Sequence, residues 1–484
     1  MVVGAGLGGL AAALHLAGAA REVTVLERAD TPGGRAGVRH DGGYTFDTGP
    51  TVLTMPSLIA DALGAVGEEL DDWLDLRRLD PAYRARFADG STLDVHADVD
   101  AMAAAIEALC GPHDADGYRR LVAYLRELYD IEMPHFIARN LDSPLALLGR
   151  PLLRLIGLGG FGRLAPKVAS FVRDERLRRV FTFQAMYAGL APPQALAIYA
   201  VIAYLDCVAG VYFPMGGIHA VPRALAGAAT RHGVTIRYGT AAARIDVVSG
   251  RATAVITEDG ERIPADVVVV NADAPTAYRE LLSRQPRRLR YSPSCVVVYA
   301  GVRNARPDAH HTISFGAAWR STFEEIIEQG RLMSDPSFLL TVPTVTDGSL
   351  APDGAHAYHA LFPAPNLEHC PLIDWAAETP RYVEHMLTTL AARGFDLDPQ
   401  VRYVTTPADW AAQGLAAGTP FAASHRFGQT GPFRLATLDR LIENLVFCGS
   451  NAQPGVGVPM VLVSGRLAAQ RVVGARLGSA TMAG

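Results

Sequence analysis

The residues best placed to do chemistry stand near the two ends of the chain. GAGLGG at residues 4–9 puts Gly4, Gly6 and Gly9 in G-x-G-x-x-G spacing, with Leu7 and Gly8 completing the turn. Missing side chains there permit a tight turn, close approach of backbone to a pyrophosphate, and packing of the helix that follows. A phosphate would then meet that helix at its N-terminus. Glu27 ends the next strand, roughly 20 residues on, where an acidic side chain accepts hydrogen bonds from an adenosine ribose and disfavours a 2'-phosphate. The second glycine-rich turn, GSNAQPGVGVP at residues 449–459, follows the apolar run NLVFC and opens a helix whose Pro459 suits the first turn.

These motifs need a strand, a turn and a helix around them, and the surrounding sequence supplies all three. A strand leads into GAGLGG, the alanine-rich stretch AAALHLAG follows, and VTVLE at residues 23–27 is the next strand of a βαβ unit. With only Val2 and Val3 ahead of the turn, the first strand is clipped compared with the usual five or six residues. RFADGSTLDV reads as a hairpin turning at Asp89-Gly90. GVTIRYG and VVVVNADA at residues 267–274 restore strand character after residue 210. YSPSCVVVYAGV, HHTISF and SFLLTVPTV predict a second sheet, with one helix near residues 324–329. The organisation expected is a cofactor domain in three pieces, residues 1–60, 210–289 and 431–484. Residues 61–139 pack around the cofactor and begin a substrate domain that continues at 290–430. Residues 140–209 form a helical, apolar and basic lid.

At 484 residues the chain exceeds one hydrophobic core, so two or three subdomains are expected. It is 49% hydrophobic and 19% charged, a well-folded composition, and its net charge of -5 supplies no global field to attract nucleic acid. The five cysteines form no C-x-x-C pair and read as buried thiols in a reducing cytoplasm. The sequence as read predicts neither a signal peptide nor a bilayer-spanning run, so any membrane contact is expected to be peripheral.

PGGR at residues 32–35 resembles the extension of glutathione-reductase-like and amine-oxidase-like flavoproteins, which favours FAD as the dinucleotide. Arg35 would be a charge-assisted partner of the pyrophosphate. No second G-x-G-x-x-G follows a strand, so a separate nicotinamide site lacks support.

DTGPTVLTMP (residues 47–56), YFPMGGIHAVPRAL (212–225), YSPSCVVVYAGV, HHTISF, VTDGSLAPDG (345–354) and CGSNAQPGVGVPMVLVSGRLAAQRV occur in that order between residues 2 and 473. The set resembles the bacterial phytoene desaturases of the carotenoid desaturase and isomerase family. The resemblance implies an α/β fold: a Rossmann-like FAD-binding domain, an inserted mixed-sheet substrate domain and a helical, membrane-facing lid. It further implies that Arg28, Gly34, Arg35, Gly49, Pro50, Thr51 and Ala242 join the glycine loop and Glu27 around FAD. Gly449, Ser450, Gly455, Val456, Gly457, Val458 and Pro459 would approach the isoalloxazine and ribityl chain. There the positive end of the last helix would stabilise an anionic reduced flavin.

Ala452-Gln453 stands where some family members carry Thr-His, so a role for that histidine does not transfer. Asp347 matches a family acidic position near the substrate channel and is the one candidate for assisting proton loss, although Asp before Gly is a common turn former. His310 and His311 lack the further ligands a metal needs and read as structural or substrate-lining. Residues 140–179 carry arginines among apolar residues, as a helix pair docking on lipid would. The activity implied is desaturation of a long apolar polyene, phytoene or a related carotenoid precursor, with oxygen or a membrane quinone as electron acceptor. The same motifs fit an isomerase, a saturase or an oxidase of the family. A prenyl-binding chaperone of the GDP-dissociation-inhibitor type shares the fold, but intact glycines and Glu27 argue against it.

Overall fold

The computed structural model describes residues 1–303, 307, 309–370 and 372–480, the stretch 475–480 by backbone alone. At its centre five strands pair in parallel in the order Leu445–Phe447, Val268–Val270, Val2–Val3, Thr24–Leu26 and Thr235–Arg237. Strands buried on both faces read as unbroken apolar runs rather than alternating ones, which is why VV and VVV stand inside this sheet and the equally buried LVF flanks them. Two residues suffice for the first strand because it is paired on both sides, Val2 with Val25 and Val269, Val3 with Leu26 and Val270.

Helix Leu7–Gly18 packs between Val458–Ala480 and Ala220–Arg231 on one face of the sheet. Its Leu10, Ala11, Ala12, Ala13 and Leu14 are wholly buried, so small side chains let neighbours close in on several sides. Truncating Leu10 or Leu14 to alanine would cost about 2–5 kcal/mol. The opposite face is covered by the antiparallel strands Ala242–Val248, Arg251–Thr257 and Arg262–Pro264, whose Ile245, Ala252 and Val255 share a core with Val3, Leu26, Val268 and Val270.

The second sheet has seven strands in the order Pro399–Thr405, Ser294–Arg303, Ala355–Ala364, Phe338–Thr341, His311–Ser314, Tyr83–Arg86 and Thr92–Val95. It is mixed, because His311–Ser314 runs parallel to Tyr83–Arg86 while its other pairings are antiparallel. The hairpin expected at Asp89-Gly90 is present, Gly90 taking φ 84°. The helix expected near residues 324–329 begins earlier, as Arg320–Glu324, and continues as a single π-turn over Glu325–Gln329.

A helical layer closes the third side. Its longest member, Pro112–Glu132, buries Tyr118, Leu121, Leu125 and Leu128. The helix pair expected over residues 140–179 is not formed, and residues 140–209 are a series of short helices. Glycines and prolines cut them into Arg150–Gly157, Leu164–Ala169, Glu175–Val180 and Ala200–Cys207, joined by 3₁₀ turns. No helix among the described residues is long and apolar enough to cross a membrane.

Candidate active site

One cavity of about 1310 Å³ is lined by both large sheets and the helical layer. Val3 and Gly4, Leu26 to Arg28, Asn271 to Asp273, and Gly449 with Ser450 all border it, each group at the carboxyl end of a parallel strand. That edge is where open α/β sheets bind ligands.

Gly6, Leu7 and Gly8 border the cavity at the start of Leu7–Gly18, and no side chain caps that helix, so its first N–H groups are left for an anion. Gly9 does not border the cavity. A Cβ there would stand 2.1 Å from the Gly4 carbonyl oxygen, so this glycine serves the turn itself. Glu27 is buried and borders the cavity. Its carboxylate accepts from the N–H of Ala5 at 2.7 Å and of Ala29 at 2.9 Å, which fixes its direction and leaves acceptor capacity for a ligand hydroxyl. Arg28 reaches across to the carbonyl of Gln413 at 2.5 Å, and Ala242 lines the same polar end.

Further in, Gly34, Arg35, Gly49, Pro50 and Thr51 form one wall, and Gly449, Ser450, Val456, Gly457, Val458 and Pro459 the facing one. Arg35 joins them, donating to the Pro420 carbonyl at 2.6 Å and to the Ser450 hydroxyl. Burial pulls the Arg35 guanidinium below its ordinary range, opposed by the nearby charge of Asp273. Burial in turn raises Asp273, opposed by Arg35. Gly455 lies behind this wall, at φ 154°, with a Cβ position only 2.3 Å from Cε1 of His425. Helix Val458–Ala480 begins against the cavity, its positive end inward.

Beyond the glycine walls the lining turns apolar, with Met186, Ile198, Ile202, Phe323, Leu339 and Leu361. Ile156, Phe161 and Phe427 border the cavity and yet are 53%, 39% and 63% exposed, so the apolar end opens outward.

Besides Gly9 and Gly455, the structure places the expected catalytic residue elsewhere. Asp347 does not border the cavity. Its carboxylate accepts from the N–H of Gly216 at 2.7 Å and from the N–H and hydroxyl of Ser349 at 3.0 and 2.6 Å. Burial works to raise its pKa, but those three bonds outweigh it and hold the carboxyl below the ordinary range. With three donors already on it, this carboxylate is a poor proton acceptor, and it shapes its own turn at Ser349 and ties it to Gly216. His310 and His311 also lie outside the lining, bonded to the Thr346 and Thr341 hydroxyls. Burial presses His310 down to about 3, and His311 is driven well below its usual range by burial and by its histidine neighbours.

Sequence reasoning missed several titratable groups that border the cavity, among them the buried Glu132, Asp206 and His359 and the half-buried His425. None sits in a motif, and isolated charged or histidine residues in apolar helices and strands carry no spacing signal. Asn271 and Asp273 were findable, because NAD directly follows a strand of the parallel sheet and strand ends of that kind face the ligand. Asp273 accepts from the Asn451 amide at 2.7 Å, which ties the end of this strand to the C-terminal glycine region.

The donor set fits a flavin dinucleotide. An uncapped helix start for the pyrophosphate, a fixed carboxylate for the ribose, a buried guanidinium and a second helix N-terminus line one continuous cavity.

Comparison with known proteins agrees with this chemistry. Residues 7–473 match the model of the flavin containing amine oxidoreductase family. The chain is 56% identical to a phytoene dehydrogenase of Streptomyces griseus, over 99% of this chain and 96% of that one. It is 38% identical to the zeta-carotene-forming phytoene desaturase of Myxococcus xanthus, over 98% and 93%. Among solved structures, an oxidoreductase from Methanosarcina mazei superposes with a TM-score of 0.64 at 17% identity, over 96% and 98% of the two chains.

Proposed function

This chain belongs to the flavin containing amine oxidoreductases, and from that premise we propose that it desaturates a long apolar polyene, phytoene or a related carotenoid precursor. It is an FAD-dependent oxidoreductase. The observation that carries the substrate reading is the single cavity that begins at glycine-lined strand ends and finishes among exposed apolar side chains.

Glu27 would hold the adenosine ribose, the start of Leu7–Gly18 and Arg35 the pyrophosphate, and Gly449, Ser450, Val456, Gly457, Val458 and Pro459 the flavin end, with Gly34, Gly49, Pro50, Thr51 and Ala242 completing the walls. Bound FAD supplies the hydride acceptor; the chain supplies position and dryness. Met186, Ile202, Phe323 and Leu339 exclude water and hold an apolar chain by contact alone, so its carbon skeleton is oriented by shape. Entry is from lipid: Ile156 and Phe161 rim the cavity on the same segment as Leu145, Leu148 and Leu153, which are 74%, 69% and 67% exposed. Of the basic residues there, Arg176 and Arg179 are engaged by Asp174 and Glu175, and Lys167 lies over the Tyr124 ring. Arg154 is paired with Glu127 and Arg163 donates to the Gln194 carbonyl, which leaves Arg150 at the surface for anionic headgroups. Electrons would pass on to oxygen or a membrane quinone.

The decisive experiment is product analysis of the FAD-loaded protein with phytoene in vesicles, with and without added quinone. New conjugated double bonds, formed with consumption of an acceptor, are expected. Redox-neutral isomerisation, or no turnover, would overturn the reading.

A further inference from the structure

Oxidising a C–C bond to C=C removes two hydrogens, and only one of them departs with the electron pair. The other must leave as a proton, in a tunnel whose far half is apolar. We propose that Asp206 is the group that takes up this proton, an inference that rests on the desaturase reading.

Asp206 lies near the end of helix Ala200–Cys207, which packs on Pro112–Glu132 with the Tyr204 and Tyr129 rings stacked at 4.7 Å. It is 3% exposed and borders the cavity beside Phe183, Tyr187 and Leu205. One carboxyl oxygen, Oδ1, is held by Cys207 Sγ at 3.3 Å and Gln184 Nε2 at 3.4 Å. The other, Oδ2, is buried without a partner. An orphaned carboxyl oxygen in an apolar wall is costly, and a well-packed apolar side chain would serve the fold better. One anchored oxygen and one unengaged oxygen is the arrangement of a positioned base.

The titratable groups facing Asp206 are Cys207 on its own helix, Tyr83 on the second sheet and Tyr187 on the neighbouring turn. Burial is the leading cause that keeps each of them neutral. Burial likewise raises Asp206 to about 7, opposed by the bonds from Cys207 and Gln184. A base is most effective when poised near the working pH. The competing groups are less suited. Glu132, whose Oε1 is likewise buried without a partner, is raised well above its usual range by burial alone, which disfavours the ionised form that a base must start from. His359 is pressed down to about 4 and is a weak base.

The step balances. One substrate C–H bond breaks with its electron pair leaving as hydride to the flavin oxidant. On the adjacent carbon the C–H bond breaks heterolytically, its proton bonds to Oδ2 of Asp206, and its electron pair becomes the second bond of C=C. The carboxyl then returns the proton to solvent between turnovers.

The test compares FAD-loaded, full-length wild type, Asp206→Asn and Asp206→Glu with phytoene in vesicles. D206N is expected to lose about a hundredfold or more in kcat while FAD affinity and KM hold, with D206E recovering part of the loss. The wild-type rate should rise with pH through a limb near neutrality that D206N lacks. A readout independent of turnover is the infrared band of the buried carboxyl. It should titrate near pH 7 in wild type, vanish in D206N, and shift when a long saturated hydrocarbon fills the cavity. A near-wild-type rate in D206N, an unchanged pH limb, or a carboxyl band indifferent to the hydrocarbon would each overturn the assignment. If D206N does not fold, the wild-type infrared titration and the D206E rate decide. An inactive wild type would instead sink the desaturase reading.

Discussion

Arg35 and Ser450 are 415 positions apart in the chain and share a hydrogen bond, guanidinium to hydroxyl. With the bond from Arg35 to the Pro420 carbonyl, it clamps the N-terminal glycine region to the C-terminal one across the cavity. Hydrogen bonds made by charged groups contribute about 1.5–3 kcal/mol each, so removing the fork should both loosen this wall and weaken FAD binding. Arg35→Met is expected to lower Tm and to raise the FAD Kd by at least about tenfold, with Arg35→Lys between it and wild type because a point charge does not replace the fork. Flavin fluorescence titration checks the order. Equal affinity in all three proteins would mean that the clamp does not act on the cofactor.

Asp47 gives the protein a pH dependence of known sign. Burial, opposed by hydrogen bonds from the N–H groups of Ile218 and His219, raises its carboxyl from 3.8 to about 6. Between those values the folded protein keeps a proton that the unfolded chain has released, so this group's contribution to stability falls as pH rises through the window and stays low above it. A shift of this size corresponds to about 2–3 kcal/mol, and the lower figure is apt because the residue is only part-buried. Asp47→Asn should therefore lose ground to wild type at pH 4 and gain on it by pH 7, as Tm across that range would record. Parallel Tm curves for the two proteins would contradict the assignment.

What was readable in the sequence follows from locality. The parallel sheet announces itself because its strands are short apolar runs and its turns are glycines at fixed spacing; both signals lie within about twenty residues of each other. Long-range pairing gives no such signal. That Tyr83–Arg86 would join His311–Ser314 in one sheet is a contact between distant segments, each of which reads simply as a strand. The same holds for the site. Glycine walls are legible because missing side chains are conspicuous in a motif, whereas Asp206 and Glu132 look like ordinary charges on helices until tertiary packing buries them. Asp347 is the complementary case: its Asp-Gly pair signals a turn, its bonds to Ser349 form one, and its bond to Gly216 is a long-range tie that the sequence does not announce.

Gly455 and His425 are coupled by space. An added Cβ at Gly455 would stand 2.3 Å from His425 Cε1 and 2.6 Å from Nε2. His425 is also fixed by its Nδ1 contact with the Thr430 hydroxyl at 3.2 Å. Gly455→Ala is expected to cost about 1–3 kcal/mol by overpacking. His425→Ala should remove the clash, so the double variant should be more stable than the sum of the single effects, leaving only the backbone strain of φ 154°. Thermal unfolding of the four proteins closes the cycle, and strict additivity would show that the two sites do not touch in solution.

The exposed apolar segment makes the sharpest claim about where the protein works. Leu148, Leu153 and Ile156 present large apolar side chains to solvent at 69%, 67% and 53% exposure, and Ile156 also borders the cavity. A side chain of this size moving from water into hydrocarbon contributes about 1 kcal/mol even when only half of it is transferred. Replacing all three by serine should therefore weaken vesicle partitioning by about 3 kcal/mol, roughly a hundredfold. Arg150, on the same surface, should add about 1 kcal/mol on anionic vesicles and nothing on neutral ones, an increment that salt abolishes. Flotation of wild type, the triple variant and Arg150→Gln on both vesicle types separates the two contributions. Because the three apolar positions are exposed, the triple variant should keep its Tm and its FAD affinity. Its turnover should fall when phytoene is supplied in vesicles and recover in detergent. Undiminished flotation of the triple variant would place lipid contact on some other surface.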